Sequence, residues 1–177
     1  VGAGFGATAG VLCRGGEESW ICLEPDPGLA AQIAEKIAAG SLPACCRVRI
    51  GTTAALTSWD QLDTALYIDV LEHIEDDRAE LARMAALVQP GGHIAVMSPA
   101  HPFLFSRFDA AIGHFRRYTR ATLTAPSRPC RGQGAQAGRH VEPSLVDGLA
   151  DDDSGQSRHR GQGLQVFERR HSAGGDD

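Results

Sequence analysis

Short apolar runs alternating with longer stretches of helical spacing constrain this chain most. Over residues 1–124 that rhythm is the one made by strands joined through crossover helices above a parallel sheet. It predicts an α/β domain. Residues 20–23 read as a strand and residues 30–39 as a helix, with Ile33 and Ile37 four apart on one face. Residues 47–50 read as the next strand and 63–68 as a buried one. Residues 77–88 form an amphipathic helix carrying Leu81, Met84 and Leu87, and 94–98 a further strand. Pro90-Gly91-Gly92 is expected to turn the chain between those last two elements.

The rhythm stops near residue 125. The stretch 125–177 holds only seven residues from the set Val, Leu, Ile, Met, Phe, Trp and Tyr, too few to offset the entropy of ordering it. Neither helix nor strand is expected there, so 1–124 is read as the folded core and 125–177 as a disordered tail. All but one of the basic residues are arginine, Lys36 being the exception, which suggests GC-rich coding. Read one nucleotide later in such codons, 168–177 becomes compatible with an ordinary hydrophobic segment. An out-of-frame tail is therefore expected, with genuine disorder as the alternative.

A length of 177 residues fits one domain, and 42% hydrophobic with 22% charged residues is ordinary for a globular chain. The net charge of −5 and the lack of a basic run leave no electrostatic footprint for nucleic acid or an anionic membrane. No apolar run is long enough for a membrane span and no secretion signal opens the chain, so a cytoplasmic location is expected by default. The five cysteines, Cys13, Cys22, Cys45, Cys46 and Cys130, contain no C-x-x-C pair. They are expected to be buried thiols in a reducing compartment, with neither a metal site nor a disulfide framework.

Two features carry chemistry. Val1-Gly2-Ala3-Gly4-Phe5-Gly6 has glycines at a spacing that lets backbone approach a ligand while the chain turns from strand to helix. Glu24 lies twenty residues after Gly4 at the end of the next strand, where a carboxylate can accept hydrogen bonds from both ribose hydroxyls of a nucleoside. Gly2-x-Gly4-x-x-Ala7 also satisfies the loose dinucleotide fingerprint, so the glycines leave a nicotinamide cofactor open.

Later segments separate these readings. Asp69-Val70-Leu71-Glu72-His73-Ile74-Glu75-Asp76-Asp77, then a helix, then Gln89-Pro90-Gly91-Gly92-His93-Ile94-Ala95-Val96, closely resembles the class I S-adenosylmethionine-dependent methyltransferases. The likeness continues through Pro99-Ala100, Leu104-Phe105-Ser106, Asp109 and Gly113-His114-Phe115-Arg116-Arg117-Tyr118, as in a bacterial small-molecule subgroup. It implies a Rossmann-like sheet with helices on both faces and S-adenosyl-L-methionine as cofactor. Gly2, Ala3, Gly4 and Gly6 match the loop beside the cofactor's methionine part, and Glu24 matches the ribose-binding acid. Asp69, Val70 and Leu71 match the segment after the fourth strand, near the cofactor's methionyl end. Thr52 and Thr53 stand where many relatives place an acid near the adenine amino group. The family's sheet has seven strands; Val1 is all that stands for the first, and the last two are expected to be missing.

Methyl transfer is an in-line displacement at an activated sulfonium, so the protein supplies proximity, alignment and exclusion of water. A hydroxyl or amine acceptor needs its proton removed, for which His73 and His114 are the candidate bases. The alternative for each is a residue fixing its loop by hydrogen bonds. Arg116 and Arg117, with Tyr118 beside them, are candidates for clamping an anionic acceptor, against the alternative of structural ion pairs. The expected function is methyl transfer to a small-molecule acceptor. An NAD(P)-dependent oxidoreductase and a non-catalytic binding fragment are the competing readings.

Overall fold

In the computed structural model the described residues are 1–124, 141–144 and 162–169. They fall into two compact units, Val1–Asp60 and Gln61–Asp177. The first holds helix α1 (Ala7–Leu12), strand β1 (Trp20–Glu24), helix α2 (Pro27–Ala38) and strand β2 (Cys46–Ile50). β1 and β2 pair in parallel from Trp20↔Cys46 to Glu24↔Ile50, a register that α2 makes possible by carrying the chain back.

α2 begins at Pro27, three residues before the periodicity predicts. Asp26 accepts a hydrogen bond from the Leu29 amide at 2.8 Å, and Pro27 occupies the first turn, where its missing N–H costs nothing. Ile33 is fully buried. It packs with Ala9, Cys13, Cys22, Leu42 and Cys46, while Trp20, Ile37 and Val48 flank the cluster half-buried. Burial raises the Cys46 thiol to about 12 and also raises Cys13 and Cys22 above the ordinary value. These are protonated core thiols, as expected for the three; Cys130 lies outside the described residues.

The second unit holds β3 (Leu62–Ile68), α3 (Asp77–Leu87), β4 (Val88–Pro99), the short helices α4 (Arg107–Ala111) and α5 (Arg120–Thr124), β5 (Val141–Ser144) and β6 (Gln162–Arg169). The sheet order is β3-β4-β6-β5, with β3 and β4 parallel and the other two pairings antiparallel. α3 is capped by Asp76, whose carboxylate accepts from the Ala79 amide at 3.0 Å, and it carries Asp77 and Glu80 in its first turn, where the helix dipole favours them. Met84 is buried and Leu81 and Leu87 are half-buried, as their spacing predicts. Tyr67, fully buried on β3, donates to Glu80 Oε1 at 2.8 Å and so ties strand to helix.

One expectation is corrected by the structure. Pro90-Gly91-Gly92 is no separate turn, because β4 runs through it and absorbs it as a bulge between the pairings Leu62↔Val88 and Thr64↔His93. Gly91 takes φ 84°. At Gly92 a Cβ would stand 2.3 Å from the Asp63 carbonyl oxygen, so only glycine allows the strands to close.

The span read as a tail carries two strands among its described residues. β6 pairs with β4 from His93↔Glu168 to Pro99↔Gln162, and β5 pairs with β6. Within the span read as a tail, 141–144 and 162–169 are thus paired strands. β4 without β6 would present a row of unpaired backbone groups, and a strand laid beside it satisfies them. Composition averaged over 125–177 concealed that three of its seven large apolar residues, Leu164, Val166 and Phe167, sit within four positions. The rest of the predicted tail, 125–140, 145–161 and 170–177, lies outside the described residues.

Candidate functional site

The glycine loop and Glu24 meet in the first unit. Gly2, Gly4 and Gly6 have φ of 59°, 55° and 87°, left-handed backbone that side chains disfavour. Ala3 donates its amide to the Leu23 carbonyl at 3.0 Å, which lays the loop along the end of β1. Glu24, 5% exposed, then receives the Gly4 amide on Oε2 at 2.7 Å and the Asp26 amide on Oε1 at 3.0 Å. Lys36 reaches from the last turn of α2 to the Phe5 carbonyl at 2.7 Å and lies 4.6 Å from the centre of the Phe5 ring.

The loop glycines are not equivalent. A Cβ on Gly4 would meet nothing within 4 Å, which leaves open space beside a buried carboxylate. One on Gly6 would press on Leu42 at 3.2 Å and Ile33 at 3.4 Å, so Gly6 serves close packing at the start of α1. Thr52, standing where an acid was sought, turns its hydroxyl to the Ala54 amide at 3.4 Å, and Thr53 is buried. The loop and Glu24 fit a nucleoside: each Glu24 oxygen is pinned by one amide and retains a lone pair for a ribose hydroxyl.

The second unit gathers the remaining predicted residues. Asp69 ends β3 in a left-handed conformation, φ 52°, with its amide donated to the Met97 carbonyl at 2.9 Å. Strain of this kind in a non-glycine residue is held by its surroundings and concentrates at sites of function. Partial desolvation, with the nearby Glu72 charge, raises its carboxyl above the ordinary value, against smaller opposing effects of His114 and His73. Val70 is half-buried and Leu71 fully buried, so the Leu71 side chain belongs to the core.

His73 and His114 are brought together across forty residues of chain, with ring centroids 4.6 Å apart in an edge-to-face arrangement. His73 is exposed and its Nδ1 lies 3.2 Å from the Gly113 carbonyl. A carbonyl oxygen only accepts, so Nδ1 is the donor, and in the neutral ring Nε2 then keeps its lone pair. The His114 side chain is 8% exposed; Nδ1 lies 3.2 Å from Asp109 Oδ1, and Nε2 lies 3.9 Å from Glu72 Oε1, beyond hydrogen-bond reach.

Glu72 is fully buried, accepts from Ser98 Oγ at 2.6 Å through Oε2, and leaves Oε1 without a hydrogen-bond partner among the described residues. The ligand atoms of Glu72, His73 and His114 lie within 4.8 Å of one another. Glu72 and Asp109 were missed as site residues from the sequence. A buried acid cannot be told from a solvated one in Leu-Glu-His, and Asp109 shows its role only through contacts with residues 106, 114 and 117.

The arginines are engaged. Arg117 makes a two-pronged pair with Asp109, Nε to Oδ1 at 2.8 Å and Nη2 to Oδ2 at 3.1 Å. That guanidinium, helped by Ser106 and His114, holds the Asp109 carboxyl well below the usual range. Arg116 binds Asp77 Oδ1 at 2.7 Å and the Glu75 carbonyl at 2.6 Å. Tyr118, buried, donates to Asp77 Oδ2 at 2.8 Å and sits 3.1 Å from the Leu71 carbonyl. Arg116 and Tyr118 thus fasten the segment after β4 to the residues between β3 and α3, while Arg117 braces that segment internally through Asp109 and the Ala100 carbonyl.

Residues 1–94 match the family model described as a methyltransferase domain. No curated protein matches the chain. The chain is similar in structure to the YcgJ protein of Bacillus subtilis, at 13% identity and a TM-score of 0.64 over 96% of this chain and 90% of that one. It is also similar to a protein assigned as a sarcosine dimethylglycine methyltransferase from Galdieria sulphuraria, at 24% identity and a TM-score of 0.50, covering 55% of this chain and 36% of that one. A third is the [4+2]-cyclase SpnF, at 16% identity and a TM-score of 0.51 over 56% of this chain and 37% of that one. The chain thus spans just over a third of the length of the last two. At these identities the likeness establishes the fold, and a cyclase among the three illustrates that this fold does not dictate one reaction. No helix among the described residues is long and apolar enough to cross a membrane.

Proposed function

Because the chain belongs to the methyltransferase-domain family, whose model it matches over more than half its length, we propose that it transfers a methyl group from S-adenosyl-L-methionine to a small-molecule acceptor. The observation that carries this reading is the buried Glu24 carboxylate, clamped by the Gly4 amide at 2.7 Å beside space that no side chain fills. The Glu24 oxygens would accept the ribose hydroxyls, and the backbone at Gly2, Ala3 and Gly4 would run beside the methionyl part. When bound, the cofactor supplies the electrophilic methyl group, so the protein need only align the acceptor, exclude water and take up a proton.

In the second unit His73 is the better base. Its Nε2 lone pair is available on an exposed ring whose tautomer the Gly113 carbonyl sets, whereas the His114 ring is enclosed between two carboxylates. His114 would act as a positioning residue, packed edge-on against His73. Asp69, Val70 and Leu71 would shape the acceptor side. Arg116, Arg117 and Tyr118, tied to Asp77 and Asp109, would hold the loop that carries His114 rather than clamp the acceptor. The free thiols Cys13, Cys22, Cys45 and Cys46 support a reducing, cytoplasmic setting.

The test is calorimetric titration with S-adenosyl-L-methionine and with S-adenosylhomocysteine, followed by transfer of labelled methyl to a panel of small hydroxyl and amine acceptors. Saturable binding of both is expected. Binding of reduced nicotinamide cofactor, read by its fluorescence, with no response to either sulfur compound would overturn the proposal in favour of the oxidoreductase reading, for which the family match offers no support. Absence of transfer by a chain that binds the cofactor would reduce it to the non-catalytic reading.

A further inference from the structure

Folding of the first unit brings three thiols together although no cysteine spacing announces them. Cys13, at the end of α1, and the adjacent pair Cys45 and Cys46, at the start of β2, place their sulfurs within 4.8 Å of one another. Cys13 Sγ is 3.4 Å from Cys45 Sγ and 3.7 Å from Cys46 Sγ. Glu17, four residues on, brings Oε2 to 3.4 Å from Cys13 Sγ and is held there by the Gly15 amide at 2.8 Å.

We propose that Cys13, Cys45 and Cys46, with Glu17 as fourth ligand, bind a zinc ion that staples the loop after α1 to the start of β2. Tetrahedral zinc with Zn–S near 2.3 Å and Zn–O near 2.0 Å requires S···S edges of about 3.8 Å and an S···O edge of about 3.5 Å. The Cys13–Cys45, Cys13–Cys46 and Cys13–Glu17 separations lie within about 0.4 Å of those edges, and the Glu17 carboxylate would have to swing toward Cys45 and Cys46 to complete the tetrahedron. Cys13 and Cys46 are buried while Cys45 and Glu17 are half-buried, which gives the ion a route in and the site the dry surroundings of a structural centre. The ligand set is closed, with no position left for a reacting group, so the ion's role is stability. As each Zn–S bond forms, the thiol proton passes to solvent. This site is independent of the methyl-transfer reading.

The test uses the full chain, freed of metal by a chelator and reduced, titrated with zinc against a chromophoric competitor and with cobalt(II) as spectroscopic probe. The expected result is one ion per chain by native mass spectrometry, a higher melting temperature with zinc, and the sulfur-to-cobalt charge-transfer absorption of a tetrahedral thiolate site. Cys45→Ser, at a half-buried position, should weaken zinc binding beyond the roughly 10–100-fold typical of changes outside the ligand shell. Glu17→Gln should weaken it while keeping the charge-transfer band, and Cys22→Ala, in the same core but outside the group, should leave it unchanged. No bound zinc at equimolar concentration, or parental affinity in both Cys45→Ser and Cys46→Ser, overturns the proposal. Should Cys46→Ser not fold, Cys45→Ser alone decides.

Discussion

Glu24→Gln is the most informative single substitution, because it keeps the size and shape of the side chain and changes only what its two outer atoms can do. In the parent, Oε2 accepts from the Gly4 amide at 2.7 Å and Oε1 from the Asp26 amide at 3.0 Å. A carboxamide has one acceptor oxygen, so whichever way it turns, one of these amides faces an N–H. Hydrogen bonds to a charged group contribute about 1.5–3 kcal/mol each. Losing one and weakening the other to a neutral contact should therefore destabilise the first unit by about 2–4 kcal/mol. The ribose diol would meet the same deficit, with one hydroxyl left opposite a donor. At about 1.4 kcal/mol per tenfold, the affinity for S-adenosylhomocysteine should fall roughly ten- to a hundredfold. Calorimetry with this product measures it without turnover, and a thermal melt reports stability separately. Gly4→Val attacks the same contact from the other side, forcing a branched residue into φ 55° and filling the open space, and should abolish binding. A folded Glu24→Gln protein whose affinity lies within twofold of the parent would refute the reasoning and place the nucleoside elsewhere.

Gly92→Ala, whose Cβ would stand 2.3 Å from a backbone oxygen and 2.6 Å from Val88 Cγ1, should cost about 2–3 kcal/mol in a denaturant titration. Gly91→Ala, strained at φ 84° but open to space, should cost only about 1 kcal/mol; equal costs would argue against the bulge. His73→Ala should lower kcat by about 10²–10⁴ and leave cofactor affinity intact, whereas an unchanged rate removes His73 as base. The depressed Asp109 carboxyl means that its pairing stabilises the fold fully above the ordinary carboxylate range and is lost as pH falls through and below it. Asp109→Asn should flatten the acid limb of the stability profile, and an unaltered limb would deny that linkage. Hydrogen exchange tests the tail: the β4–β6 ladder predicts slowed exchange in 162–168, while near-random-coil rates there would favour the out-of-frame reading.

What the sequence determined by itself is whatever short spacing controls. The α/β rhythm, the cap formed by Asp26 and Pro27, the left-handed glycine loop and the placing of Glu24 at the end of β1 all follow from neighbours a few residues apart, or from one strand–helix–strand step. Tertiary structure decided the rest. Only folding sets Cys13 against Cys45 and Cys46, thirty-two and thirty-three residues away, or edges His73 onto His114. Only folding commits Arg117 to Asp109 and Arg116 to Asp77, where the sequence left an acceptor clamp open. β6 is the plainest case. Its local cluster of Leu164, Val166 and Phe167 is diluted by the polar residues around it, and it pairs because β4 offers an edge whose backbone groups require partners. That requirement belongs to the assembled sheet, so no local window of the chain names the partner strand.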